Sequence, residues 1–97
     1  MIRSRNTTKY EQEYASVVGQ GHAFAFWKGR VALYAILRGM GIGEGDEVIM
    51  PGYTCVMAVN PIVYRGAEPV FVDIEPETFN INPGLIESKI TPRTRLV

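Results

Sequence analysis

The chain has 97 residues, with ten basic and ten acidic side chains, one His, one Cys and 46% hydrophobic residues. That balance excludes the basic footprint of a nucleic-acid-binding domain and the charge runs of a disordered tail. No apolar run reaches the ~18 residues of a membrane-spanning helix, residues 1–8 lead into no signal-peptide core, and one cysteine cannot form an internal disulfide. These features predict one small globular unit in the cytoplasm, with neither a membrane nor a nucleic-acid polymer as partner.

Residues 1–8 read as a loose polar leader running into Thr8-Lys9-Tyr10-Glu11, a capping-box pattern in which Thr8 takes a free backbone N–H and Glu11 reaches back. Tyr10, Tyr14, Val17 and Val18 follow at helical spacing, and Gly19 suits the helix end. Residues 23–27 form an aromatic run of strand length that stops before Gly29. A helix begins at Gly29, with Leu33, Ile36, Leu37 and Met40 on one face and Arg30, Tyr34 and Arg38 on another. Glycines 39, 41, 43 and 45 end it, because their backbone entropy is too costly in a helix interior.

Residues 47–50 read as a strand closed by Pro51-Gly52. Thr54 suits the N-cap of a helix to about Tyr64, in which Pro61 predicts a kink or an early break near Asn60 at a cost of about 3 kcal/mol. Residues 69–73 make the next strand, with its proline at the start where a missing N–H matters least. Asn82-Pro83 is an N-cap and first helical position for a helix to about Ile90. Residues 91–94 form a turn and 95–97 open another strand. Strands alternating with helices predict the α/β class with a mainly parallel sheet. Such sheets need cover on both faces, so a chain ending as a strand opens reads as an incomplete unit.

The junction Phe26-Trp27-Lys28-Gly29-Arg30-Val31 is the best local candidate for chemistry. Glycine permits close approach of a ligand, and free N–H groups at a helix start favour an anion such as phosphate. A tight turn with no ligand satisfies the same residues, and local sequence leaves both readings open. Lys28-Gly29 reverses the order a P-loop needs, and the glycines at 39–45 make no G-x-G-x-x-G. His22 has no second His or Cys as partner, so no metal site is predicted. Cys55 is either a thiol activated near a helix start or a small buried residue. Asp73, at a strand's C-terminal edge, is equally a ligand group or a loop cap. Glu75, Glu77 and Glu87 read as solvated.

Several linked segments carry a resemblance over roughly residues 9–97. They are Tyr10-Glu11-Gln12-Glu13-Tyr14, His22-Ala23, Gly43 to Thr54, Asn60, Gly66 to Ile74, Pro76 to Pro83, Ile86-Glu87 and Ile90 to Thr94. In these residues the chain resembles the DegT-type (DegT/DnrJ/StrS) aminotransferases, pyridoxal-phosphate enzymes that aminate nucleotide-linked keto-sugars. The resemblance implies that residues 9–97 are the N-terminal part, truncated, of an aspartate-aminotransferase-like large domain. It implies pyridoxal 5′-phosphate as cofactor, a keto-sugar nucleotide as substrate, glutamate as amino donor, and a homodimer with shared active sites. The product would serve a polysaccharide or a secondary metabolite.

By the same resemblance the helix start Gly29, Arg30 and Val31 anchors the cofactor phosphate through backbone amides. Arg30 stands where the family has a hydroxyl residue, so a side-chain hydroxyl bond is lost and an Arg charge substitutes where geometry allows. Cys55 stands where an aromatic side chain commonly stacks on the pyridine ring; a thiol packs there with less contact and no π-stacking. The Schiff-base lysine and the carboxylate that pairs with the pyridine nitrogen belong to segments beyond the match. Lysines 9, 28 and 89 do not occupy the lysine position, and Asp73 matches a strand-end aspartate. The implied chain therefore holds no catalytic residue and is not competent alone. A related sugar dehydratase, or a non-catalytic α/β fragment that binds an anion or partner, are the alternatives.

Overall fold

A computed structural model describes residues 4–19 and 21–97. The first helix, α1, spans Arg5–Val18 and starts one turn before the expected capping box. Ser4 is itself a capping residue: its side chain accepts from Thr7 N–H at 3.1 Å, and nothing in the next three residues breaks a helix. Thr8 lies inside the helix, its hydroxyl donating to the Ser4 carbonyl at 3.4 Å, and residues 5–8 of the expected leader are helical. Residues 1–3 of that leader lie outside the described residues. Gly19 ends the helix in the left-handed region at φ +75°, as its sequence position predicts. The buried stripe of α1 is Glu11 and Ala15, while Tyr10, Tyr14, Val17 and Val18 are exposed.

Residues 22–26 take no regular secondary structure and join no ladder, so the expected strand at 23–27 is absent among the described residues. An extended segment becomes a strand only when a neighbour takes its backbone groups. Here the Ala25 N–H goes to a side chain of α1 instead. Helix α2, Gly29–Gly39, begins at the expected glycine and buries Leu37 completely. Ile36 and Met40, read on one face with Leu33 and Leu37, are half exposed.

Three parallel strands follow: β1 (Glu47–Pro51), β2 (Glu68–Val72) and β3 (Thr94–Leu96), in the order β2-β1-β3. Val48-Ile49-Met50 is apolar without alternation because the central strand is buried on both faces. Helix α3, Val56–Tyr64, crosses from β1 to β2, with Cys55 at the N-cap position, one residue after the expected Thr54, and no side-chain cap bond. It runs through Pro61 without the predicted break. Pro61 and Ile62 are buried, so apolar packing offsets the missing N–H, and Arg65 N–H bonds the Pro61 carbonyl at 3.2 Å.

Asn82 and Pro83 open helix α4 as expected, with the Asn82 side chain accepting from Gly84 N–H at 2.9 Å. The α-helix lasts one turn, Pro83–Ile86, and then tightens to a 3₁₀ turn at Glu87–Lys89. Ser88 donates its hydroxyl to the Leu85 carbonyl at 2.9 Å, a side-chain bond of the kind that competes with helix continuation. The core gathers Leu37, Ile42, Val48, Met50, Ile62 and Ala67 between the α2–α3 pair and the sheet. Every aromatic side chain except Tyr34 is exposed, so this core is aliphatic.

Candidate functional site

The carboxyl ends of parallel strands are where α/β sheets place ligands, because chain direction reverses there and helix starts point outward. At that edge β1 leaves through Pro51-Gly52, and Gly52 N–H bonds the Val72 carbonyl of β2 at 2.8 Å. Tyr53 follows, its ring 5.7 Å from that of Phe79. Then comes Cys55 at the start of α3, with its thiol exposed rather than buried. Asp73 follows β2 directly but accepts from the N–H of Ile74 at 2.8 Å, and its carbonyl accepts from Asn82 N–H. Its position is that of a loop cap. Glu77 and Glu87 are exposed, and Glu75 accepts from the Thr78 hydroxyl.

The start of α2 reaches the same region. Lys28 holds the N-cap in an extended conformation, φ −147° and ψ 144°, and supplies no side-chain acceptor. Cys55 supplies none to α3 either, and neither helix has an acidic residue in its first turn. Ser4 and Asn82, by contrast, do cap their own helices. The opening N–H groups of α2 and α3 therefore lack the partners that helix starts ordinarily find, and each helix dipole adds positive potential.

Gly29 and Arg30 carry the first two N–H groups of α2. Val31 N–H already donates to the Lys28 carbonyl at 3.0 Å, so only the first two are wholly free of the helix. No atom outside its own helix and neighbours lies within 4 Å of where a Cβ on Gly29 would stand. Arg30 spans to α3, where its guanidinium contacts the sulfur of Met57, two residues beyond Cys55. That contact joins the start of α2, which holds Gly29, Arg30 and Val31, to the first turn of α3, which Cys55 precedes. Lys28 lies over the Trp27 ring at 4.3 Å, and no carboxylate side chain occurs between Glu13 and Glu44.

Two clefts flank this start. One of about 660 Å³ runs between α1 and residues 22–26, touching Tyr10, Tyr14, His22, Phe24 and Gly29. The other, about 290 Å³, lies between α2 and α3 and is lined by Arg30, Val31, Tyr34, Asn60, Pro61 and Tyr64. His22 borders the first cleft, and among the described residues no group of three His, Cys, Asp or Glu side chains is gathered to hold a metal. The pairing of Arg30 with Met57 had no sequence signal, since the two are 27 positions apart.

A parallel α/β sheet with uncapped helix starts at its carboxyl edge defines a scaffold suited to a phosphorylated ligand. Residues 1–97 match the model of the DegT/DnrJ/EryC1/StrS aminotransferase family, and the chain belongs to that family. It is 43% identical over 93 residues to GDP-perosamine synthase of Caulobacter vibrioides, covering 96% of this chain and 25% of that protein. It is 41% identical to the UDP-2-acetamido-2-deoxy-3-oxo-D-glucuronate aminotransferase of Pseudomonas aeruginosa, covering 99% and 27%. Among solved structures, NtdA from Bacillus subtilis with bound cofactor PMP superposes with a TM-score of 0.91 at 32% identity. That alignment covers 97% of this chain and 22% of NtdA. The chain thus spans about a quarter of the length of the relatives it matches. Among the described residues no helix is long and apolar enough to cross a membrane.

Proposed function

We propose that residues 9–97 form the phosphate-anchoring part of the large domain of a pyridoxal-phosphate-dependent aminotransferase. Its substrate is a nucleotide-linked keto-sugar and its amino donor is glutamate. The protein works as a homodimer in the cytoplasm, in the making of a polysaccharide or a secondary metabolite. The observation that carries this reading is the uncapped, cation-flanked start of α2, set beside the start of α3 at the sheet's carboxyl edge. Membership of the family and the named activities of the relatives support it.

The donor set fits the cofactor. Gly29 and Arg30 offer two backbone N–H groups to a phosphate, and Val31 offers a third by sharing its bond to Lys28. Cys55 offers a small polarizable surface to the ring, and its exposure leaves that face open. When bound, pyridoxal phosphate supplies a conjugated ring that accepts the electron pair released at the reacting carbon. The residues of this chain hold and orient that group. The lysine and carboxylate that act on it are assigned to other parts of the protein.

The test is cofactor binding by the native protein, read by cofactor absorbance and by alkylation of Cys55 with iodoacetamide. Pyridoxal phosphate is expected to protect Cys55, and glutamate is expected to aminate a keto-sugar nucleotide. A native protein that binds no pyridoxal phosphate, or whose Cys55 reacts equally fast with and without it, overturns the reading.

A further inference from the structure

We infer that Phe79 is a positioning residue for the cofactor ring. Its backbone is held in a strained conformation that sets its side chain against Tyr53, and Tyr53 in turn fixes the loop that runs from β1 to Cys55. The inference rests on the cofactor reading above and adds to it a residue that acts through another.

Among the described residues Phe79 is the one non-glycine residue with a positive φ, +59°, a conformation ordinarily left to Gly, Asn or Asp. The turn after β2 holds it there from both sides. Phe79 N–H donates to the Glu75 carbonyl at 2.9 Å, and Glu75 N–H donates to the Asn80 carbonyl at 2.9 Å. The Thr78 hydroxyl donates to the Glu75 carboxylate at 3.0 Å and accepts from Asn80 N–H at 3.2 Å. Ile74 and Ile81 close the turn as an antiparallel bridge.

Burial in the core does not explain an aromatic side chain at this position, because Phe79 is 60% exposed. What its ring gains is Tyr53, itself 70% exposed, at 5.7 Å and tilted by 40°, an arrangement in which aromatic pairs attract. Tyr53 needs that contact. Gly52 N–H is tied to the Val72 carbonyl and the Cys55 carbonyl accepts from Ala58 N–H, but among the described residues no hydrogen bond anchors Tyr53 or Thr54 between them. Strain persists where the surroundings over-determine it, and it gathers at sites that need a fixed geometry. The element fixed here ends at Cys55, whose exposed thiol the cofactor reading sets against the pyridine ring. A loop ordered in advance leaves the cofactor no ordering to do, whereas a loose one lowers its affinity.

The experiment compares the native protein with Phe79→Ala, Phe79→Gly, Phe79→Tyr, Tyr53→Ala and the double variant Phe79→Ala/Tyr53→Ala. Dissociation constants are measured for pyridoxal phosphate and for pyridoxal, together with the rate of Cys55 alkylation by iodoacetamide at saturating pyridoxal phosphate. Ordering one loop side chain on binding corresponds to about three- to tenfold in affinity. Phe79→Ala, Phe79→Gly and Tyr53→Ala are each expected to weaken both compounds by that factor and to lose protection of Cys55. Phe79→Tyr keeps the ring and is expected to bind as the native protein does. The double variant is expected to lose no more than either single one, because both act through one contact. Glycine relieves the strain that alanine keeps, so affinity that follows stability, with Phe79→Gly near the native protein and Phe79→Ala below it, would overturn the inference. So would unchanged binding by both, or a loss confined to pyridoxal phosphate, which places the effect at the phosphate. A native protein that binds neither compound, or binds them without protecting Cys55, overturns the cofactor reading itself, which the Phe79 variants do not test.

Discussion

The carboxylate of Glu11 in α1 accepts a hydrogen bond from the backbone N–H of Ala25 at 2.7 Å, fourteen residues along the chain. Glu11 is buried, and its bond fixes residues 22–26 as they approach the start of α2. Leaving that N–H without its acceptor costs about 1–3 kcal/mol. Glu11→Ala is therefore expected to lower the unfolding free energy of the native protein by that amount and to speed amide exchange at Ala25. Glu11→Gln keeps an acceptor and should lose less. Denaturant unfolding with amide exchange checks both.

Glu47, at the start of β1, is held on the far side of the sheet by the segment that leads into β3. Thr91 donates its hydroxyl at 2.6 Å and Thr94 at 3.3 Å, while Arg93 pairs with the other carboxylate oxygen at 2.5 Å. The Thr91 hydrogen bond first, then the Arg93 charge and the Thr94 bond, outweigh desolvation and hold the carboxyl below its ordinary value of 4.5. A lowered folded pKa means stability that is complete above the ordinary carboxylate range and is lost as pH falls through the folded pKa. The native protein is thus expected to lose stability on acidification below about pH 4.5, and Glu47→Gln to lose less over the same window. Unfolding free energy measured against pH tests the difference, and parallel curves for the two proteins would contradict it.

Phe79 adopts φ +59°, a region L-residues avoid, while its ring meets Tyr53. The left-handed conformation costs roughly 1 kcal/mol for a residue with a Cβ and little for glycine. Phe79→Ala loses the ring contact and keeps the strain, whereas Phe79→Gly loses the contact and relieves the strain. Phe79→Gly is expected to be the more stable by about 1 kcal/mol, opposite to the order at most positions. Thermal unfolding of the two variants decides it.

On α2, Leu37 is wholly buried and Ile36 is 54% exposed, although both lie on the apolar face read from spacing. Leu37→Ala is expected to cost about 2–5 kcal/mol through the cavity it leaves. Ile36→Ala, away from the core, should stay within about 0.5 kcal/mol. Denaturant midpoints at constant slope give the comparison.

Sequence by itself determined what depends on neighbours along the chain. The parallel α/β alternation, the start of α2 at Gly29, the apolar run of β1, the left-handed end at Gly19 and the Asn82-Pro83 cap all follow from local conformational preferences and short-range hydrogen bonds. Position within a familiar order of segments likewise pointed to Gly29, Arg30, Val31 and Cys55. Tertiary structure decided the rest, because distant groups compete for the same local ones. Glu11 left a capping box to bind Ala25, residues 22–26 stayed outside any ladder, and the apolar packing of Pro61 and Ile62 carried α3 through a proline that local rules treat as a break. Thr91, Arg93 and Thr94 converge on a carboxylate more than forty residues away, and Arg30 meets Met57 across two helices. Those pairings depend on how α2, α3 and the sheet stack. Stacking is set by the burial of Leu37, Ile42 and Ile62 in one core, where the identity of each partner is a matter of space and not of spacing.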